Sequence, residues 1–267
     1  MVALDTILAD VHNATASAIG LTAATPATGD SFTVRNFPDA AWGRLEGVYA
    51  QASGTRQVRV TSPAFHDNVT GLTFTTSQQP GTFFMPDSIG QPLVHGDTLA
   101  ISLDAAATSD SLAALLVYYS QMSGSDGRYY SWGDISGIIK SIKAMQVAVT
   151  TSATIGQWVD TGITTTENQM HAGTDYAILG YLTSVALVAV GVKGQETGNL
   201  RACGPGSTNA LDTSDYFVDL SNRHGTPHIP VLNADNRNSI YVSAAANTAS
   251  VASTITLICA ELSQRLS

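Results

Sequence analysis

Residues 91–121 read QPLVHGDTLAISLDAAATSDSLAALLVYYSQ, and residues 229–264 read IPVLNADNRNSIYVSAAANTASVASTITLICAELSQ. Each stretch runs through a proline with two aliphatic residues, a small turn carrying an aspartate, a strand, an Ala-Ala-Ala turn, a long apolar strand and a closing Ser-Gln. Pro92 lies over Pro230, Asp97 over Asp235, Ala105 over Ala244 and Gln121 over Gln264, at offsets of 138, 138, 139 and 143 residues. An offset near half of the 267-residue chain implies two related β-units in tandem.

Outward from these endings the pattern is short strands between Gly- and Pro-containing turns. In the first half they are expected at Ser31–Asn36, Leu45–Ala50, Arg56–Thr61, Val69–Thr75, Thr82–Met85, Leu99–Leu103 and Leu112–Ser120. In the second half they are expected at Met145–Thr150, Tyr176–Leu182, Ala186–Lys193, Tyr216–Leu220, Ser239–Ala244 and Ser253–Leu262, with an exposed loop over 194–215. A weaker echo supports the duplication: Trp42 and Trp158 are each followed by a Gly-Thr pair, Gly54-Thr55 and Gly173-Thr174.

At the N-terminus Leu4, Ile7, Leu8 and Val11 recur at i, i+3, i+4 and i+7, the spacing of one helix face, and the pattern continues to about Ala18. Such a helix either packs on its own sandwich or reaches a neighbouring subunit as an arm. The expected fold class is all-β: two tandem jelly-roll-like β-sandwiches with a short N-terminal helical arm. The expected division is 1–30 arm, 31–121 first sandwich, 122–143 linker and 144–267 second sandwich. Within the linker, Ser131-Trp132-Gly133-Asp134 has the form of a helix cap, and Ile135–Ile142 reads as a short helix or a strand.

Charged residues make up only 12% of the chain, about half the usual share, and Ser, Thr, Asn and Gln supply the polarity. Such a surface suits extensive protein contact, because burying a hydroxyl or amide costs less than burying an unpaired charge. A net charge of −9, with three Lys and nine Arg scattered along the chain, argues against direct contact with nucleic acid. No run approaches the ~18 apolar residues of a membrane span, and the first basic residue is Arg35, so neither a transmembrane segment nor a secretory leader is read.

Motifs for nucleophile elbows, phosphate loops, dinucleotide binding and zinc hydrolysis are missing, so no catalytic residue, cofactor site or metal site is assigned and the chain is not read as an enzyme. His224 and His228 are spaced for a shared helix face, but Gly225 and Pro227 break a regular helix there, and a loop at a subunit contact is preferred to a metal pair. The turns around Asp235 and Asp104–Asp110 offer oxygens for calcium, although Asn-Asp clusters are ordinary turn formers. Cys259, in an apolar strand, reads as a buried free thiol rather than half of a disulfide with Cys203. Tyr118, Tyr119, Tyr129, Tyr130 and Trp132 offer a sugar-stacking platform, but Tyr118 and Tyr119 fall on opposite faces of one strand, and the preferred reading has Tyr129, Tyr130 and Trp132 cover the seam between units.

With its two closing strand pairs at Leu99–Gln121 and Ile240–Gln264, and the stretches from Trp42 and Trp158, the chain resembles the double jelly-roll capsid proteins of icosahedral viruses, bacteriophages included. The resemblance implies a structural virion protein, capsid or capsid-decoration, that is made in the host cytoplasm and assembles with itself, as trimers, and with other capsid proteins. The expected interaction residues are those of the arm, Leu4, Ile7, Leu8 and Val11. The alternatives are a lectin-like carbohydrate-binding β-sandwich and a β-sandwich hydrolase.

Overall fold

The computed structural model describes residues 129–266 except 155–156, 164–169, 196–201, 209–212, 225–227 and 247, and describes nine strands within residues 1–121. Those nine are β1 (Ala3–Asp10), β2 (Asp30–Thr33), β3 (Trp42–Gln51), β4 (Arg56–Thr61), β5 (Leu72–Thr76), β6 (Gly81–Phe84), β7 (Gln91–Leu93), β8 (Thr98–Leu103) and β9 (Leu112–Gln121). After β10 (Tyr129–Tyr130) come a one-turn helix α1 (Trp132–Ile135), β11 (Ile139–Thr150), β12 (Val159–Gly162), β13 (Asp175–Thr183), β14 (Leu187–Lys193) and β15 (Ala202–Gly206). Helix α2 (Tyr216–His224), β16 (Ile229–Asn233), a 3₁₀ turn over Ala234–Ser239, β17 (Tyr241–Ala245) and β18 (Ala252–Leu262) complete the described elements.

The strands form antiparallel sheets. In the first half the orders are β1-β9-β3-β6, with β7 also on β3, and β2-β8-β4-β5. In the second half they are β11-β18-β13-β16, extended by β10, and β12-β17-β14-β15. With β7 and β10 set aside, each half has eight strands in the same order: first-eighth-third-sixth in one sheet and second-seventh-fourth-fifth in the other. This is the jelly-roll order of two interlocked Greek keys. The doubled ending coincides with the last two strands of each half, β8–β9 and β17–β18. The two prolines that open it, Pro92 and Pro230, sit in strands paired with β3 and β13, the third strand of each half.

Alternation builds the core of the second half. Met145, Val147 and Val149 of β11 are buried, while Ala144, Gln146 and Ala148 between them are exposed. Facing strands add Ile255, Leu257 and Cys259 from β18, and Val242 and Ala244 from β17, all fully buried. Each large aliphatic side chain removed from water in this way contributes about 1.5–3 kcal/mol.

Several expectations need correction. Residues 3–10 form a strand rather than a helix: β1 pairs with β9 along its whole length, from Ala3 opposite Gln121 to Asp10 opposite Ala114. An isolated helix of this length is marginal in water, whereas a bare β9 edge would leave a row of backbone groups unpaired. Residues 1–2 and 11–29 of the expected arm, Val11 included, lie outside the described residues, and Asp30 begins β2. Tyr216–Leu220 is helical, because Tyr216, Phe217, Leu220 and Ser221 fall on one helix side and are all buried, with Asp219 exposed between them. β15 lies inside the stretch expected to be a loop and pairs with β14.

Residues 129–143, expected in the linker, carry β10, α1 and the start of β11. Ser131 does cap α1: its hydroxyl accepts the Asp134 N–H, and the Asp134 carboxylate accepts the Ser131 N–H at 2.9 Å. The helix ends after one turn because Ile139 onward pairs with β18. Ala244 and Ala245 end β17 rather than forming a turn. The tryptophan echo is not an equivalence of position, since Trp42 begins the third strand of its half and Trp158 precedes the second strand of the other. Gly54-Thr55 lies outside the described residues.

Candidate functional site: charge clusters and sheet faces

Charge is concentrated in three places in the second half. At the end of the β11–β18 pair the Glu261 side chain is only 4% exposed, and its carboxylate takes Lys140 Nζ on Oε1 and Lys143 Nζ on Oε2, each at 2.7 Å. Ser141 Oγ donates to Oε2 at 3.1 Å. Strict alternation would put Lys140 and Lys143 on opposite faces; the register shift between Ile139 and Ser141 re-aims Lys140 so that both reach the same carboxylate. The hydrogen bonds from Lys140 and Lys143 hold the Glu261 carboxyl at about 2, against the opposing effect of burial. Burial pulls the Lys143 ammonium down, but its hydrogen bond to Glu261 and the neighbouring Tyr176 more than offset this and raise its pKa. A fully countered buried charge of this kind is a structural plug.

The second cluster lies on the outer face of the β12-β17-β14 sheet. The Asp160 carboxylate accepts from Ser243 Oγ at 2.5 Å and pairs with Lys193, whose ammonium lies 5.5 Å from the centre of the Tyr241 ring. The third fastens residues 265–266. The Gly173 N–H donates to Asp235 Oδ1 at 2.8 Å, Arg265 pairs with Asp235 Oδ2 and donates through Nε to the Gly173 carbonyl at 3.0 Å, and the Leu266 N–H donates to Asp175 Oδ2 at 2.9 Å. Gly173 has φ +80°, a left-handed conformation that suits glycine. The Gly173 N–H and then Arg265 lower the Asp235 pKa.

The oxygens considered for calcium at Asp235 are thus engaged by an N–H and a guanidinium, and the Asn233 side chain accepts the Asp235 N–H at 2.8 Å. Replacing Asp235 with alanine is expected to release the Gly173 N–H and the Arg265 guanidinium, while the Leu266 amide stays on Asp175 and the Ser263 amide on the Ile138 carbonyl. Hydrogen exchange at the Gly173 amide should accelerate and that at Leu266 should not, and unchanged exchange at Gly173 would show that Asp235 does not hold this turn.

Of the expected interaction residues, Leu4, Ile7 and Leu8 lie in β1 opposite Ser120, Val117 and Leu116. His224 ends α2, His228 is buried just before β16, and His171 is exposed in a turn where its N–H donates to Tyr176 Oη at 3.0 Å. His12, His66 and His95 lie outside the described residues, as do Asp104–Asp110. Among the described residues no three or more His, Cys, Asp or Glu side chains gather as a metal site. Of the aromatic stretch, Tyr129 is buried at 2% exposure, which removes it from any stacking platform, and Tyr130 Oη donates to the Leu266 carbonyl at 3.4 Å.

Cys259 is a free buried thiol, pushed up to about 12 by burial. Iodoacetamide applied to the native protein at pH 8 should leave the Cys259 peptide unlabelled, with labelling only in denaturant. Labelling at the rate of a free thiol would contradict this packing.

The two outer sheet faces of the second half differ. On the β12-β17-β14-β15 sheet, Ala189, Ser243 and Ala245 alternate with the core-facing Val190, Val242 and Ala244 and so point outward, yet their exposures are 0, 0 and 1%. First-half strands lie beside this sheet: β9 approaches β14, and β1 and β3 approach β15, with Cα atoms within 8 Å. On the β11–β18 pair the outward residues of β11, from Ile142 at 56% exposure to Thr150, are exposed. The five cross-strand pairs of that face, Ile142–Ala260 through Thr150–Ala252, contain no charged residue.

No helix among the described residues is long and apolar enough to cross a membrane. No protein-family model matches the chain, and no curated protein matches it. A solved structure described as "The Triple Jelly Roll Fold and Turret Assembly in an Archaeal Virus" is similar over 88% of this chain and 56% of its own, at 12% identity and a TM-score of 0.24. The chain therefore spans little more than half the length of that protein. A second, "Crystal Structure of the STIV MCP", is similar over 98% of this chain and 97% of its own, at 8% identity and a TM-score of 0.21. Likenesses this distant carry no weight for function, and the strand order stands on its own.

Proposed function

We propose that this chain is a structural virion protein that assembles with itself, as trimers, into or onto the icosahedral shell of a virus, a bacteriophage being the narrower form of the reading. The observation that carries the proposal is one eight-stranded order present twice in one chain. Two like units, related by duplication, offer like surfaces, so a chain that packs one on the other has the means to pack on further copies. The low charge supports it, because only 12% of residues are charged and hydroxyl and alanine faces are buried at lower cost than charged ones. The β1 strand takes the place of the helical arm in this scheme: Leu4, Ile7 and Leu8 lie on a sheet edge, where a strand can pair within its own chain or with a neighbour.

Electron microscopy of the purified protein tests the proposal. Regular trimeric tiles or shells are expected on raising concentration. A protein that stays dispersed as single chains and binds an oligosaccharide array would replace it with the lectin reading.

A further inference from the structure

A sheet edge presents unpaired N–H and C=O groups to any strand that meets it, and native edges are blunted by shortness, proline, charge or a bulge. In the second half, three of the four edges are blunted in this way. β10 has two residues, β12 has four and carries the ion-paired Asp160, and β15 carries Pro205 and lies beside β1 and β3. The fourth edge is β11, at twelve residues the longest of the described strands, and among the described residues it pairs with β18 alone. Its register shift and its two lysines all fall within 139–143. Residues 144–150 carry none of these devices.

We infer that residues 144–150 of β11 pair edge to edge, antiparallel, with the same residues of a second copy of this chain, about a two-fold axis at Val147. The inference rests on the self-assembly reading and supplies a contact that joins one trimer to the next. Pairing about Val147 sets Met145 against Val149, both buried, and sets Ala144 against Thr150 and Gln146 against Ala148, all exposed. Core-facing side chains thus meet core-facing ones, and the five-stranded sheets of the two copies continue as one. Lys143 and Lys140 fall opposite Thr151 and Thr154, past the end of β11, so no like charges face each other in the paired run. The occupant is a second copy because this run matches itself in length and alternation. The charges nearest to it along β11 are lysines, which suit the approach of a chain of net charge −9. Each copy gives and receives the same strand, so the contact closes at two chains.

Two double-lysine variants of the full chain test this. Gln146→Lys with Ala148→Lys sets a lysine opposite a lysine twice across the two-fold axis. Ala252→Lys with Thr254→Lys puts the same two charges on the same exposed face, one strand in from the edge. Sedimentation velocity over a concentration series should show wild type and the β18 variant assembling beyond the trimer, and the β11 variant losing every species above it with an unchanged far-UV spectrum. A β11 variant that assembles like wild type, or a wild type that stops at the trimer, overturns the edge pairing while self-assembly stands. Loss of assembly in both variants also overturns it, because the contact is then the sheet face. If wild type stays a single chain throughout, the self-assembly reading falls and the edge pairing with it. Should the β11 variant fail to fold, hydrogen exchange of wild type above and below its assembly concentration decides. Slowed exchange on assembly at the amides of 144–150 that point away from β18 is expected, and unchanged exchange there overturns the inference.

Discussion

Replacing Gly180 with alanine should lower the melting temperature by about 6–12 °C, equivalent to about 3 kcal/mol, the upper end of what overpacking a core usually costs. A Cβ at Gly180 would stand 2.4 Å from the Thr213 carbonyl oxygen and 2.5 Å from the Ser214 carbonyl carbon and oxygen. All three are backbone atoms, in the turn that leads into α2, and they cannot move without dragging the helix. The helix in turn is locked to β13 through Tyr181, whose ring centre lies 5.9 Å from that of Tyr216 and 6.0 Å from that of Phe217. Gly180 also sits where β13 shifts register against β18, a place where a strand glycine marks close approach of another backbone. Gly137→Ala is the control, since nothing lies within 4 Å of its Cβ position. It should melt within about 2 °C of wild type, within the ordinary range for a surface substitution. A Gly180→Ala protein as stable as that control would contradict the packing of the turn on β13.

Glu261→Gln should cost about 2 kcal/mol at neutral pH and change the acid limb of the stability curve. The carboxylate is buried, but its two lysines are not: the Lys140 side chain is 64% exposed and that of Lys143 30%. Both can turn to water when the carboxylate is lost, which keeps the cost below that of a fully buried pair. In wild type the folded Glu261 pKa is depressed from 4.5 to about 2. Its contribution is therefore fully present above the unfolded value of 4.5 and is lost as pH falls through about 2. The Lys143 pKa is raised, so its share is present below 10.5 and fades as pH climbs through the higher folded value. Denaturant midpoints measured from pH 7 down to pH 2 should converge for the two proteins at the acid end. Parallel curves, with the same gap at pH 2 as at pH 7, would show that Glu261 acts by shape rather than charge.

How much of the fold is legible in the residues depends on where each strand sits. β9 runs between β1 and β3, and β18 between β11 and β13. Both central strands carry long apolar runs, LLVYY and ITLICA, so the doubled ending stands out. Edge strands are less constrained. β1 carries a helical spacing of Leu4, Ile7 and Leu8 that its pairing with β9 overrides, and β15 is hidden by its Gly-Pro-Gly.

β15 tolerates Pro205 because it is an edge strand, and it needs Gly204 because a Cβ there would meet the Tyr181 hydroxyl and the Tyr216 ring at 2.4 Å. The run Tyr216-Phe217-Val218 has strand composition, and only burial of Tyr216, Phe217, Leu220 and Ser221 on one side makes it a helix. The lysine pair on Glu261 is out of reach for another reason, since a bulge breaks the alternation by which faces are assigned. The buried outer face of β14 and β17 depends on tertiary contact, for which Ala189 and Ala245 carry no local signal.

Native mass spectrometry of the full chain is the direct test of self-association by a twice-repeated jelly-roll order. The single chain has a mass of 27.8 kDa. A dominant species at three times that mass, or at a larger multiple of it, is expected, persisting on dilution as a large interface requires. A species that remains at 27.8 kDa at every concentration would contradict self-association.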